Sequence, residues 1–255
     1  MNSPVEISCV IPAFEAVDLT ARCLTSALAQ RSVEFEIIVT DDSATGEIRA
    51  LVEALTPRVA NIRYIEGPRS GNPVDNWNHG LGQACGAACV LVHQDEFIVD
   101  PLYFRRAVDR LTMTNAAAVV GQTRVIGVTR PSRFGLVAAL ARAVGRPRWL
   151  LPIANWLGPT AAFVFRRGPL FDPSLVAIVD VAFYRTVLKT GPLEVLEGVC
   201  VGSLGHHGAQ ISAGLDFRAV VARELRDLAR RSPPAIGPAE YAVVSAWLRL
   251  RSWLG

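Results

Sequence analysis

Apolar and polar positions alternate in blocks through the first 120 residues. Ile7 to Ile11 is a continuous apolar-rich run ending at Pro12, as expected for a strand buried on both faces. Leu19 to Ala29 places Leu19, Cys23, Leu24, Ala27 and Leu28 at helical spacing. Phe35 to Val39 reads as a second strand, Ile48 to Leu55 as a helix closed by Pro57, and Ile62 to Ile65 as a third strand. Val74 to Ala84 is helical, and Ala88 to Val92 is a fourth strand. Pro101 suits the first turn of another helix through Leu111, and Ala116 to Ile126 reads as a fifth strand. This order predicts an α/β fold with a mostly parallel sheet flanked by helices. The expected organisation is a first half over 1–120, a second half of the same domain over 121–214, and a helical extension over 215–255.

In sheets of that kind ligands bind outside the carboxyl ends of the strands. Three polar clusters fall at those ends: Ala13-Phe14-Glu15, Asp41-Asp42-Ser43 and Gln94-Asp95-Glu96. One Asp or Ser at such a place is an ordinary cap or turn residue, whereas three clusters at successive strand ends form a site. The turn after the first strand has no glycine, and the cluster Gly80 to Gly86 follows a helix with the wrong final spacing. Neither a dinucleotide-binding turn nor a Walker loop is present. Bound phosphates would therefore be neutralised by a divalent metal on carboxylates, and Asp95 and Glu96 are placed to supply oxygens.

Composition sharpens this picture. Of 255 residues, 51% are hydrophobic and 19% charged, which excludes a largely disordered chain. No apolar run is long and uninterrupted enough to predict a spanning helix, and the N-terminus lacks the basic start of a signal peptide. Five cysteines without paired spacing (Cys9, Cys23, Cys85, Cys89 and Cys200) fit thiols in a reducing cytosol better than a disulfide framework or zinc site. The net charge of +3 is unevenly spread: Arg110 to Phe171 holds nine arginines and no acid, so the other 17 basic residues face 23 acidic ones. An arginine-only segment suggests a face that meets an anion, although the single lysine shows that arginine fills nearly every basic position. Within it, Arg130 to Arg148 interleaves cationic and apolar residues, as does Ala246 to Leu254. Both read as basic amphipathic surfaces for a lipid-linked phosphate acceptor or an anionic membrane face, with a dimer contact or plain packing as the alternative. No nucleic-acid-binding module is recognisable.

Several stretches, taken in order, resemble one family. Ile7-Ser8-Cys9-Val10-Ile11-Pro12-Ala13-Phe14-Glu15 is similar to the opening of inverting glycosyltransferase family 2, whose fold is GT-A. Val39 to Ser43, Asn76-Trp77-Asn78 with Gly86, and Leu91 to Glu96 resemble its next motifs, the last being the metal-binding DxD region. Asn155 to Thr160 with Phe165-Arg166-Arg167, Val179 to Tyr184, and His207-Gly208-Ala209-Gln210 resemble the acceptor half. The resemblance implies that Asp41 binds the nucleobase, with Pro12, Ala13 and Glu15 lining the same pocket and Asn78 joining the nucleotide-sugar contacts. It further implies that Asp95 contacts ribose, Glu96 holds Mn²⁺ or Mg²⁺, His207 approaches the diphosphate or the metal, and Asp180 is the general base. Glu15 stands where the family usually has asparagine, and Glu96 where it usually has aspartate.

The expected function is metal-dependent, inverting transfer of a sugar from a nucleoside-diphosphate sugar, UDP- or dTDP-linked, to an acceptor hydroxyl on a lipid-linked or cell-envelope glycan. The expected location is the cytoplasm, peripheral at the inner face of the membrane. The alternative from another class is a non-catalytic nucleotide-sugar-binding scaffold. A nucleotidyltransferase is disfavoured, because its glycine- and lysine-rich first loop is missing.

Overall fold

The computed structural model describes residues 4–57, 59, 61–127, 151, 155–204, 217–231, 237 and 241–246. The chain forms two compact units built from interleaved stretches. One comprises Met1–Val128, Leu157–Phe171 and Thr186–Gly205, and the other Thr129–Trp156, Asp172–Arg185 and His206–Gly255.

The first unit is organised around its strands. β1 (Ile7–Ala13) is buried along its whole length, as its unbroken apolar run requires. β2 (Phe35–Asp41), β3 (Ile62–Glu66) and β4 (Ala88–Leu91) join it in the order β3-β2-β1-β4, every pair parallel. α1 (Val17–Leu28), α2 (Glu47–Leu55), α3 (Pro73–Gly82) and α4 (Tyr103–Thr114) connect or follow these strands. α1 buries Thr20, Cys23, Leu24 and Ala27, a single helical stripe. α3 begins with Asn72, whose side chain accepts a hydrogen bond from Val74 N, and with Pro73 in the first turn.

The remaining strands depart from the simple parallel expectation. β6 (Ala118–Ile126), β7 (Phe163–Arg166) and β8 (Leu193–Leu204) complete the sheet with the short β5 (Glu96–Ile98), extending the order as β4-β7-β6-β8-β5. β7 runs antiparallel to both β4 and β6, β8 is parallel to β6, and β5 is antiparallel to β8. The helix expected from Pro101 starts instead at Tyr103. Asp100 accepts a hydrogen bond from Leu102 N, which holds the preceding residues in a turn. α4 ends on Asn115 in the left-handed region (φ 51°), where asparagine is well tolerated.

Four cysteines are buried and Cys85 is exposed, all unpaired as thiols. Burial pushes the Cys89 thiol up to about 12, so it remains protonated and inert.

At the amino ends of the strands, away from the polar clusters, a buried carboxylate ties three segments together. Glu36 Oε1 accepts from Ser8 Oγ (2.6 Å) and Cys85 N (2.7 Å), while Oε2 accepts from Arg63 (2.8 Å). Burial alone would raise its pKa, but the Ser8, Cys85 and Arg63 donors outweigh burial and hold it below the usual carboxylate range. A pKa lower in the folded than in the unfolded state stabilises the fold above the unfolded value. That contribution disappears as pH falls through the folded value. Glu36→Gln is therefore expected to destabilise the protein by about 1–3 kcal/mol at pH 7. The same variant should weaken the dependence of stability on pH below about pH 4, both read from urea unfolding across pH.

Candidate nucleotide-sugar site

The carboxyl ends of β1, β2 and β4 carry the three polar clusters, and hydrogen bonds between side chains and backbone join them. β1 and β2 end in register, with Pro12 opposite Thr40 and Ala13 opposite Asp41. Beyond that point the chains diverge, so their polar backbone groups need other partners. Asn76 on α3 supplies two of them. Its Nδ2 donates to Thr40 O (3.0 Å) and Ala13 O (3.5 Å), and its Oδ1 accepts from Thr40 Oγ1 (2.6 Å). One turn later on the same face is Gly80, where an added Cβ would lie 2.5 Å from Val10 Cγ1. Only glycine lets α3 sit this close to the sheet and bring Asn76 to the strand ends.

Gln94 makes the matching link to β4. Phe14 N donates to Gln94 Oε1 (3.0 Å), and Gln94 Nε2 donates back to Phe14 O (3.2 Å). A side-chain amide thus pairs with a peptide as a neighbouring strand would, and leaves the Phe14 ring 55% exposed. Residue type alone marks neither Gln94 nor Asn76 for these roles. Their contacts depend on how far each strand runs past its neighbour.

Asp41 lies at the floor of this edge, 1% exposed. Its Oδ1 accepts from Ser43 N (2.9 Å) and its Oδ2 from the Tyr64 hydroxyl (3.0 Å). Ser43 Oγ in turn accepts from Glu15 N (2.7 Å). Glu15 has φ 55°, the left-handed conformation that glutamate disfavours and asparagine tolerates. The usual asparagine at this position therefore has a conformational basis. Pro12 and Ala13 are buried strand residues, so they shape the pocket through their backbone.

The adjacent acids Asp95 and Glu96 have opposite surroundings. Asp95 is half-buried at the turn, and its carbonyl accepts from Leu204 N (3.0 Å) at the end of β8. Glu96, expected to hold the metal, is 5% exposed and has its carboxylate turned into the fold. Its Oε2 accepts from His93 N (3.0 Å), Ala161 N (3.1 Å) and Thr160 Oγ1 (3.4 Å), and Oε1 lies 3.7 Å from His93 Nδ1. It braces the turn that carries Asp95. Asn78 is a brace of the same kind, since its Nδ2 donates to Phe171 O (2.9 Å) and its Oδ1 accepts from Phe171 N (2.8 Å). Trp77 packs edge-on against His93 and Phe171, as a core residue of the helix. Among the described residues no group of three or more His, Cys, Asp or Glu side chains is arranged to hold a metal ion. A single carboxylate still fits a hard cation that takes its other oxygens from a diphosphate and water, and Asp95 is the acid presented for it.

In the second unit, α5 (Val179–Leu188) carries Asp180 in its first turn. Asp180 Oδ1 accepts from Val181 N (2.7 Å), and Oδ2 accepts from Asn155 Nδ2 (2.7 Å). Ahead of that turn, Glu224 on α6 (Phe217–Arg230), 2% exposed, accepts from Val176 N (2.6 Å), Ala177 N (3.1 Å) and Ile178 N (3.1 Å). A buried carboxylate thus fixes the segment from which Asp180 projects. His207, the basic stretch Arg130 to Arg148 and residues 247–255 lie outside the described residues. No helix among the described residues is long and apolar enough to cross a membrane.

The family model for glycosyl transferase family 2 matches residues 8–161, which include all three strand-end clusters. The chain belongs to that family. A curated relative, the succinoglycan biosynthesis protein ExoO of Rhizobium meliloti, is 32% identical over 159 residues, covering 60% of this chain and 44% of ExoO. The uncharacterized protein MT1568 of Mycobacterium tuberculosis is 28% identical over 204 residues, covering 72% of this chain and 62% of the relative. This family 2 chain therefore spans less than two thirds of the length of either relative. Among solved structures, S. aureus TarS 1-349 in complex with UDP-GlcNAc superposes with a TM-score of 0.70 at 16% identity, covering 96% of this chain and 71% of TarS. The mannosyltransferase PcManGT of Pyrobaculum calidifontis, in complex with GDP-Man and Mn²⁺, gives 0.66 at 16% identity, covering 97% and 72%. The fold is GT-A, as the family resemblance implied.

Replacing Glu15 with asparagine should relieve the left-handed strain. Thermal unfolding of Glu15→Asn is expected to show about 0.5–1 kcal/mol of added stability. No change, or a loss, would mean that the Glu15 side chain contributes an interaction that offsets the strain.

Proposed function

We propose that this chain transfers a sugar from a nucleoside-diphosphate sugar to an acceptor hydroxyl, with inversion and with a divalent cation bound at Asp95. The observation that carries the reading is the hydrogen-bonded strand edge. It holds a buried, doubly bonded Asp41 and a presented Asp95 on tips tied through the Phe14–Gln94 pairing. Family membership supports it, as do the nucleotide-sugar complexes named for TarS and PcManGT.

In this reading Asp41 and the backbone of Pro12, Ala13 and Glu15 form the nucleobase end of the site, for a UDP- or dTDP-linked donor. Asp95 holds Mn²⁺ or Mg²⁺ next to the diphosphate, joined by His207, which follows Leu204 by three residues in the sequence. The chemistry supplied by the cation is neutralisation of the charge on the leaving diphosphate. Glu96 and Asn78 act as braces. Asp180 accepts the acceptor hydroxyl's proton as the oxygen bonds to the anomeric carbon and the bond to the diphosphate breaks. Asn155 and Val181 N hold its carboxylate in place for that proton transfer. The acceptor is a lipid-linked or cell-envelope glycan, in keeping with the polysaccharide role named for ExoO. The enzyme works in the cytoplasm, peripheral to the membrane.

Asp180→Asn is expected to lower kcat by about 10²–10⁴-fold while leaving donor KM nearly unchanged. Asp95→Asn should instead raise donor KM and reduce the response to Mn²⁺. Transfer assays with a donor and acceptor panel check both. Wild-type turnover in Asp180→Asn would remove its role, and cation-dependent donor binding with no turnover on any acceptor would favour the scaffold reading.

A further inference from the structure

The carboxylate that would read the base is almost entirely covered, and what covers one of its oxygens is Tyr64. Asp41 is 1% exposed, whereas Tyr64, on the edge strand β3, is only half-buried. Tyr64 is two residues before Glu66, the register partner of Asp41, so its ring leans one step along the strands to reach Oδ2 at 3.0 Å. With Ser43 N on Oδ1, each carboxylate oxygen carries one donor and the group is held in a single orientation.

Tyr64 is itself held from outside. The Arg49 guanidinium, from α2, lies 5.0 Å from the centre of the Tyr64 ring and is paired with Glu66. Burial pushes the Tyr64 hydroxyl up, and the Asp41 carboxylate adds to this against the pull of Arg49, so the hydroxyl keeps its proton. Because that proton is committed to Asp41, the pair offers only acceptor lone pairs to an incoming base.

We propose that nucleobase recognition in this chain runs through the Tyr64–Asp41 pair, with Tyr64 the positioning and specificity-determining partner. The inference rests on the strand-end cleft being a nucleotide site. An acceptor-only pair suits a base edge with a ring N–H donor, as in uracil, thymine or guanine. It disfavours cytosine, whose corresponding ring nitrogen is an acceptor.

The test is calorimetric titration of the full chain, with Mn²⁺, using UDP, dTDP, GDP, CDP and inorganic pyrophosphate. Wild type should bind one of the first three more tightly than CDP or pyrophosphate. Tyr64→Phe removes only the hydroxyl. It should weaken that preferred nucleotide about tenfold and leave CDP and pyrophosphate within about twofold, so that base discrimination shrinks. Arg49→Leu, which releases the ring without touching Asp41, should give the same pattern at about two- to fivefold, and it serves if Tyr64→Phe does not fold. Unchanged or tighter nucleotide binding in both variants, or equal weakening of all ligands, would overturn the role of Tyr64. A wild-type chain that binds no nucleotide better than pyrophosphate would instead overturn the nucleotide-site reading and this inference with it.

Discussion

Parallel strands that stop together at one edge leave their last N–H and C=O groups without ladder partners, and those groups must be satisfied. Here the partners are side chains: Asn76 for the ends of β1 and β2, Gln94 for Phe14, Ser43 for Glu15, and Asp41 for Ser43. The same bonds therefore satisfy the backbone and build the site. Each one that closes the fold at this edge also fixes a group that would face the donor. The left-handed Glu15 lies within this network, held by Ser43 at a conformational cost that its own side chain does not relieve by favouring αL.

Adjacent acids at the end of β4 show how little residue type reveals by itself. Asp95 and Glu96 are neighbours in the sequence, yet Asp95 stays at the turn while Glu96 opens β5 and points inward. There Glu96 collects donors from His93, Thr160 and Ala161. A longer side chain suits this bracing position, because it spans from β5 to the segment before β7. In the second unit, the carboxylate of Glu224 fixes the chain just ahead of α5, and Asn155 holds Asp180 within its first turn. Asp180 is thus a first-turn helix residue, a place the helix dipole favours for an anion, and the same fixation suits its proposed role as base.

The parallel half of the sheet was legible because each buried strand is a continuous apolar run and each helix shows one apolar stripe. Boundaries for β1, β2, β3 and β4 fall within a residue or two of the expected ones. The other half was not legible for local reasons. β5 has three residues, too few for periodicity, and β7 has four. β8 pairs with β6 through irregular register between Val120 and Thr123, which breaks the alternation that would mark it. Asp41, Asp95 and Asp180 could be singled out because acids at strand tips and helix starts are few. Tyr64, Gln94 and Asn76 could not, since their contacts are set by cross-strand register and by how closely α3 approaches the sheet.

The most direct measurement is a crystal structure of the chain soaked with UDP and Mn²⁺, using the anomalous signal to locate the metal. Mn²⁺ on a carboxylate oxygen of Asp95, bridging to the diphosphate, with the base against the Tyr64–Asp41 edge, is the expected result. Manganese bound to Glu96, or a nucleotide seated away from the ends of β1, β2 and β4, would contradict it.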